Sequence, residues 1–167
     1  MKKLWLFVVV LALALSSCGY KVFSPSFSCN EIFVPVWKNY SSAPELGELL
    51  SEALRKKLSQ GRLFVPVFSK DSACFELKGR VKSVYLEPVG YLNYQQVSEV
   101  RINFVGEYEL INLKTGDVLL KETISRYKVY DIPLSSPEET ELVKTQALKK
   151  LAEEVAEKVL QRIVTRF

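Results

Sequence analysis

Val100-Arg101-Ile102-Asn103-Phe104-Val105-Gly106-Glu107-Tyr108-Glu109-Leu110 sets the fold class. Val100, Ile102, Phe104, Gly106, Tyr108 and Leu110 are apolar or small, and Arg101, Asn103, Glu107 and Glu109 stand between them. Successive side chains of an extended chain point to opposite faces, so this period of two makes a strand with one dry face and one wet face. Downstream, Lys114-Thr115-Gly116-Asp117 turns the chain, with Gly116 free to take positive φ, and Val118 to Val129 supplies the antiparallel partner. Upstream, Phe75, Leu77, Gly79 and Val81 alternate with Glu76, Lys78, Arg80 and Lys82 in another half-buried strand, where Gly79 marks a bulge. The stretch between them, Glu87 to Ser98, holds Pro88 and Gly90 and reads as a loop.

Two helical patterns flank these strands. Leu46, Leu49, Leu50, Ala53, Leu54 and Leu58 recur at helical spacing, with Ser42 as the cap, Pro44 in the first turn and Gly61 just past the end. The second helix starts at Ser136, with Pro137 at the first helical position and Glu139 completing a capping box. Leu148, Leu151, Ala152, Val155, Ala156, Val159, Leu160 and Ile163 form its apolar stripe, and Lys149, Lys150, Glu153, Glu154, Glu157, Lys158 and Arg162 its solvated face. Residues 31–37 read as a first strand on which Ile32, Val34 and Val36 share a face; Pro35 places it at an edge or on a bulge. A brief strand is expected within residues 63–68. The resulting order is β-α-(β)-β-β-β-α. Its economical solution is an α+β two-layer sandwich, with two helices packed on one face of a roughly four-stranded, mixed, mostly antiparallel sheet.

The N-terminus is separate from this domain. Met1-Lys2-Lys3 is followed by about a dozen apolar residues, Leu4 to Leu15, then by Ser16, Ser17 and Cys18. That run is the length of a secretory h-region and too short to span a bilayer. The stretch resembles a bacterial lipobox, in which the cysteine thiol takes a diacylglycerol and the signal is cut before it. The expected division is therefore a cleaved signal at 1–17, a lipid anchor and tether at 18–30, and a single domain at 31–167. A buried acyl CH₂ contributes about 0.8 kcal/mol, so several chains on Cys18 hold a protein to a membrane without any spanning helix. By the lipoprotein resemblance, Gly19 is compatible with sorting to the outer membrane.

Composition narrows the chemistry. Loss of Lys2 and Lys3 leaves 21 basic residues against 19 acidic ones, too even a balance for nucleic acid. The 167 residues contain no histidine, which excludes histidine acid–base catalysis and histidine metal sites. There is no G-x-S-x-G, phosphate loop or dinucleotide glycine pattern, and the scattered carboxylates read as solvated strand faces. A binding or assembly role fits better than an enzyme, with no cofactor. Cys29 and Cys74 open two predicted strands; they either pair as a disulfide or remain two buried thiols.

Cys18-Gly19-Tyr20, the run Ile32-Phe33-Val34-Pro35-Val36-Trp37-Lys38-Asn39, the leucine-rich first helix, and Phe75-Glu76-Leu77-Lys78-Gly79-Arg80-Val81 with its following tyrosine-rich loop, hairpin and terminal helix resemble the lipopolysaccharide-assembly lipoprotein family (LptE). That resemblance implies the two-layer fold and no catalytic residues. It also implies a seat inside an outer-membrane β-barrel (LptD-like) that inserts lipopolysaccharide into the outer leaflet, with lipopolysaccharide itself as a second contact. Pro88 to Ser98 and Asp131 to Thr140 contain no Lys or Arg. Contacts to the barrel or to the anionic lipid therefore fall to Lys78, Arg80, Lys82, Arg101, Arg126 and Lys128, with Tyr91 and Tyr94 adding area. The competing expectation is a free-standing, periplasm-facing lipoprotein that binds another envelope protein or a small ligand.

Overall fold

The computed structural model describes residues 29–133 and 136–166; Cys18 and the signal segment lie outside them. The elements run β1 (Glu31–Phe33), β2 (Lys38–Asn39), α1 (Leu46–Gln60), β3 (Val65–Val67), a 3₁₀ turn (Lys70–Ser72), β4 (Phe75–Asn93), β5 (Gln96–Asn112), β6 (Val118–Asp131) and α2 (Pro137–Arg166). The fold is α+β, with a mixed sheet in the order β3-β1-β4-β5-β6 and β2 also paired to β4. Contacts of β1 with β3 and β4, and of β2 with β4, are parallel; β4–β5 and β5–β6 are antiparallel. The six strands exceed the expected four because the brief strand, Val65–Val67, joins the sheet and because Pro35 interrupts the predicted first strand. Residues 31–33 and 38–39 pair separately with β4, and Val34 to Trp37 cross between them.

That crossing reverses the side-chain phase. Ile32 and Val34 are buried, Val36 is exposed, and Trp37 takes its place in the core. The indole lies flat on Gly79 and stacks near Tyr108, ring centroids 6.5 Å apart. Gly79 therefore marks a ring contact, not a bulge; the register shift falls between Val81 and Ser83. The Trp37 backbone N–H donates to the buried Ser51 Oγ at 2.9 Å, and Ser51 donates onward to the Gly47 carbonyl at 2.8 Å. Arg55 Nη1 holds the Val34 carbonyl at 2.9 Å. The irregular segment is thus tied to α1 by the two residues that can satisfy its backbone.

The helices cover one face of the sheet. Leu46, Leu50, Leu54 and Leu58 of α1 and Leu148, Leu151, Val155, Val159 and Ile163 of α2 share one core with Leu77, Val81, Ile102, Phe104, Tyr108, Leu110, Leu120 and Ile124. Each fully buried aliphatic side chain contributes about 1.5–3 kcal/mol. Lys56–Glu153 and Lys57–Glu157 bridge the two helices on their wet side at 3.9 and 3.3 Å. In α2 the Glu139 N–H donates to the Ser136 Oγ at 3.2 Å, so the capping serine satisfies a free donor at the helix start. In α1 the expected cap does not form. The helix begins after Glu45, which makes no side-chain cap bond; Asn39 Nδ2 donates to the Ala43 and Pro44 carbonyls, and Ser42 Oγ reaches Val84 O.

The expected loop at 87–98 is strand. β4 continues through Pro88 and Gly90 to Asn93, and β5 begins at Gln96. Register shifts around Pro88, Gly90 and Tyr91 take up the missing N–H of the proline, which a regular ladder could not. Pro66 sits in β3, the outermost strand, where a missing donor costs no ladder bond on the free side. Cys29 and Cys74 are joined by a disulfide, with Cα atoms 6.2 Å apart across 45 residues of sequence. Closing a loop of that length contributes about 4 kcal/mol in the chain-entropy account.

The Trp37 seat yields a test of sign. A Cβ on Gly79 would collide with three indole carbons, and a Cβ on Gly47 would collide with the Trp37 carbonyl oxygen. Gly→Ala within a helix ordinarily stabilises by about 1 kcal/mol. Gly47→Ala is expected instead to lower the midpoint of chemical denaturation, and Gly79→Ala to cost about 1–3 kcal/mol as overpacking does. A raised midpoint in Gly47→Ala would show that Trp37 is not held there.

Candidate functional site: the open face of the sheet

The face away from the helices is built by the same alternation that builds the core. In register across β4, β5 and β6, Lys78 stands opposite Glu109 and Glu109 opposite Lys121, while Arg80 faces Glu107 and Glu107 faces Thr123. Opposite charges therefore meet on neighbouring strands. Lys78 pairs with Glu109 at 3.2 Å, Arg80 with Glu107 at 2.9 Å, and Lys82, brought round by the adjacent bulge, approaches Glu107 at 3.9 Å. Lys121 bridges both carboxylates, at 3.5 Å to Glu107 and 2.8 Å to Glu109. Four cations thus share two carboxylates, leaving this patch with a net positive charge. Pro35, Val36 and Lys38 close one side of a cleft of about 480 Å³ above it.

The electrostatics follow from the geometry. The hydrogen bond from Arg80 holds Glu107 below the ordinary glutamate value of 4.5, against an opposing cost of desolvation, and Lys121 does the same for Glu109. The partners shift reciprocally: Arg80 is raised by its bond to Glu107, and Lys121 by its bond to Glu109. On the core side, burial and then a hydrogen bond to Glu122 push the Tyr108 phenol well above its usual range, so it stays a neutral donor.

Farther along the face the character changes. Arg101 lies over the Tyr127 ring, 5.0 Å from its centroid, and reaches Glu87 at 3.4 Å; Asn103 Nδ2 also donates to Glu87. Tyr91 and Tyr94 are at the tip of the β4–β5 hairpin, both exposed and well apart in sequence position from the charged patch. Lys128 faces the helix side, since it shares the phase of the buried Ile124 and Tyr130, and it pairs with Glu154 of α2. Arg126 shares that phase and donates to the adjacent Ser125 carbonyl. Of the expected contact residues, the structure gathers Lys78, Arg80 and Lys82 into one patch, sets Arg101 in a second, and separates Arg126, Lys128, Tyr91 and Tyr94 from both.

Lys121 and Tyr127 are the residues that sequence reading passed over. Their signal was present: once Leu110 is placed opposite Leu120, counting by two along β6 puts both on the wet face. Cys29, Glu31 and Cys74 place donor atoms within 4.8 Å of one another, but the two sulfurs bond each other, so a single carboxylate is left and no metal set exists there. No described helix is long and apolar enough to cross a membrane.

Because the folded-state values of Glu107 and Glu109 are depressed, their stabilisation is present above the unfolded value near 4.5 and is lost as pH falls through the folded values. A Glu107→Gln/Glu109→Gln double variant is expected to lose less stability than the parent between about pH 5 and pH 3 in denaturant titrations, with the difference shrinking in high salt. Parallel pH profiles would remove the network from the stability of the sheet.

Comparison with known proteins agrees with this architecture. No curated relative matches the chain. Among solved structures, a lipoprotein of Caulobacter crescentus is similar with a TM-score of 0.56 at 17% identity, over 78% of this chain and 88% of that one. Rare lipoprotein B of Shewanella oneidensis is similar with a TM-score of 0.54 at 15% identity, over 81% and 95%. Lipoprotein B of Nitrosomonas europaea is similar with a TM-score of 0.53 at 12% identity, over 81% and 82%. At these identities the likeness concerns the fold. The LptE family, described as lipopolysaccharide-assembly, matches residues 30–167, which spans every described element, and the chain belongs to that family of envelope assembly proteins.

Proposed function

We propose that this protein is an outer-membrane lipoprotein, anchored by lipid on Cys18, that seats in the lumen of a lipopolysaccharide-translocating β-barrel of the LptD kind. There it supports insertion of lipopolysaccharide into the outer leaflet. Residues 1–17 are the cleaved signal, 18–30 the anchor and tether, and 31–167 the plug. The role is one of binding and assembly, without a catalytic step.

The observation that carries this reading is the open sheet face. It is broad and polar, with the four cations Lys78, Arg80, Lys82 and Lys121 set around the two carboxylates of Glu107 and Glu109. The lumen of a large outer-membrane barrel is polar, so a plug must offer it polar groups, and residual positive charge suits an acidic wall or an anionic lipid. Family membership supports the assembly role.

Two experiments test it. Cys18→Ala is expected to abolish incorporation of labelled fatty acid; a variant that still took up label would refute the anchor. Reversal of Lys78, Arg80 and Lys82 together to Glu turns this patch from net positive to strongly negative, which opposes an acidic wall or an anionic lipid across the interface. Recovery of the barrel in a mild-detergent pull-down is expected to fall about tenfold or more, while circular dichroism keeps its native form because the core is untouched. Undiminished recovery with a native spectrum would show that this face is not the interface.

A further inference from the structure

The sheet ends on β6, and the outer side of that strand is open. Just past it, the Ile132 N–H donates to the Ser98 carbonyl at 2.8 Å, and from Asp131 back to Leu120 the strand pairs with β5 without a register shift. Bonded and non-bonded pairs alternate along an antiparallel ladder. The even-numbered residues of β6 therefore bond to β5, and the N–H and C=O groups of Lys121, Thr123, Ser125, Tyr127 and Val129 point away from the sheet. No described strand pairs with β6 on that side. Unpaired groups in such a row are a template for another extended chain. A cavity of about 760 Å³ takes in Ser125, Tyr127 and Val129 from the open face and Arg126, Lys128 and Glu154 from the helix side, so it wraps this edge.

The side chains along the edge select the occupant. Arg126 lies beside it, since its Nη1 donates to the outward Ser125 carbonyl at 3.4 Å. Among the described residues no carboxylate pairs with Arg126, whereas Lys128 is matched by Glu154. A strand laid antiparallel on β6 exchanges backbone bonds with Ser125 and Tyr127 and sets one side chain opposite Arg126, in the non-bonded pairing where side chains approach most closely. An acidic residue there forms a charge-assisted pair. Its two neighbours turn to the open face beside Tyr127, 61% exposed, and Val129, 36% exposed, where β-branched side chains pack well. A second copy of this chain fits poorly. α2 lies over β6 and is tied to it by Lys128–Glu154 and by Arg162–Glu122 at 3.9 Å. Two copies joined edge to edge would set their α2 helices about 5 Å apart, where packed helices need about 8–10 Å. The chain's own tether is mismatched in charge, since residues 19–28 hold Lys21 and no acid.

We propose that the outer edge of β6, at residues 123–129, takes an extended acidic segment of a partner protein by strand addition, with Arg126 receiving its carboxylate. This stands apart from the barrel reading, because it is tested on the protein alone with a synthetic peptide. The mature lipidated protein in detergent micelles, ¹⁵N-labelled, is titrated with acetyl-Asp-Thr-Val-Glu-Val-Thr-Asp-amide. The central Glu of this peptide stands opposite Arg126, and its two Val residues present their N–H groups to Ser125 and Tyr127. Saturable shifts are expected at the amides of residues 123–129, with slowed hydrogen exchange at residues 125 and 127. N-methylation of the two Val residues keeps every side chain but removes the ladder donors, and is expected to weaken binding tenfold or more. Arg126→Glu is expected to weaken the parent peptide tenfold or more and to bind instead the peptide with Lys in place of its central Glu. Absence of saturable shifts, shifts confined to other parts of the molecule, an N-methylated peptide that binds as the parent does, or indifference to the charge exchange at Arg126 would each overturn the proposal. So would protection of the same amides by dimerisation without peptide, which would give the edge to a second copy.

Discussion

The structure depends on the contact between Trp37 and the bare backbone of Gly79. β1, β2 and the crossing between them are too short to hold themselves by pairing alone. They stay on the sheet because one large ring enters the core there and because its backbone N–H is taken by Ser51 of α1. The same residue sets the spacing between helix and sheet, since Gly47 brings the first turn of α1 against the Trp37 backbone carbonyl. Removing a Cβ at two distant positions therefore lets a kinked strand, a helix and the long central strand meet at one point. Aromatic burial then offsets the ordering entropy of an irregular segment.

A sheet covered by helices on one side has to manage its other side. Here the long strands β4, β5 and β6 carry opposite charges in register near the β5–β6 turn, where Lys121 serves two carboxylates at once, and tyrosine, serine and asparagine farther along. Single exposed pairs contribute little to stability. Their joint effect is a surface that stays hydrated, resists stacking against another sheet, and still offers directed polar groups to a partner of matching shape. The disulfide between Cys29 and Cys74 joins the residues just before β1 and β4, so the three-residue strand β1 is backed by a covalent bond.

Much of this was legible in order along the chain. The alternation from Val100 to Leu110, the turn at Gly116, the stripe of α2 and its Ser136–Pro137 start each depend on residues within one element, and the structure has all four. The charged face was legible for the same reason, because the wet positions are those left over when the dry ones are counted. Less legible was anything that depends on a partner. The strand through Pro88 and Gly90 looked like a loop because proline and glycine are unfavourable in a regular ladder, and only the opposing residues of β5 make the bulges that admit them. Arg126 and Lys128 looked like surface cations equivalent to Arg101, yet β6 turns them toward the helix side, where Lys128 meets Glu154.

The sequence by itself determined the α+β class, the period of every long element, the absence of histidine chemistry and the presence of a lipobox-like start, because each rests on local covalent pattern or on composition. Only the tertiary structure decided that residues 31–39 make two short strands, that Gly79 receives an indole, that Cys29 meets Cys74, and that Tyr85 and Tyr127 stand on either side of Asn103. Those are meetings of residues far apart in the chain. Their register is chosen by the packing of the whole core, because a slip of one residue would exchange the dry face for the wet one.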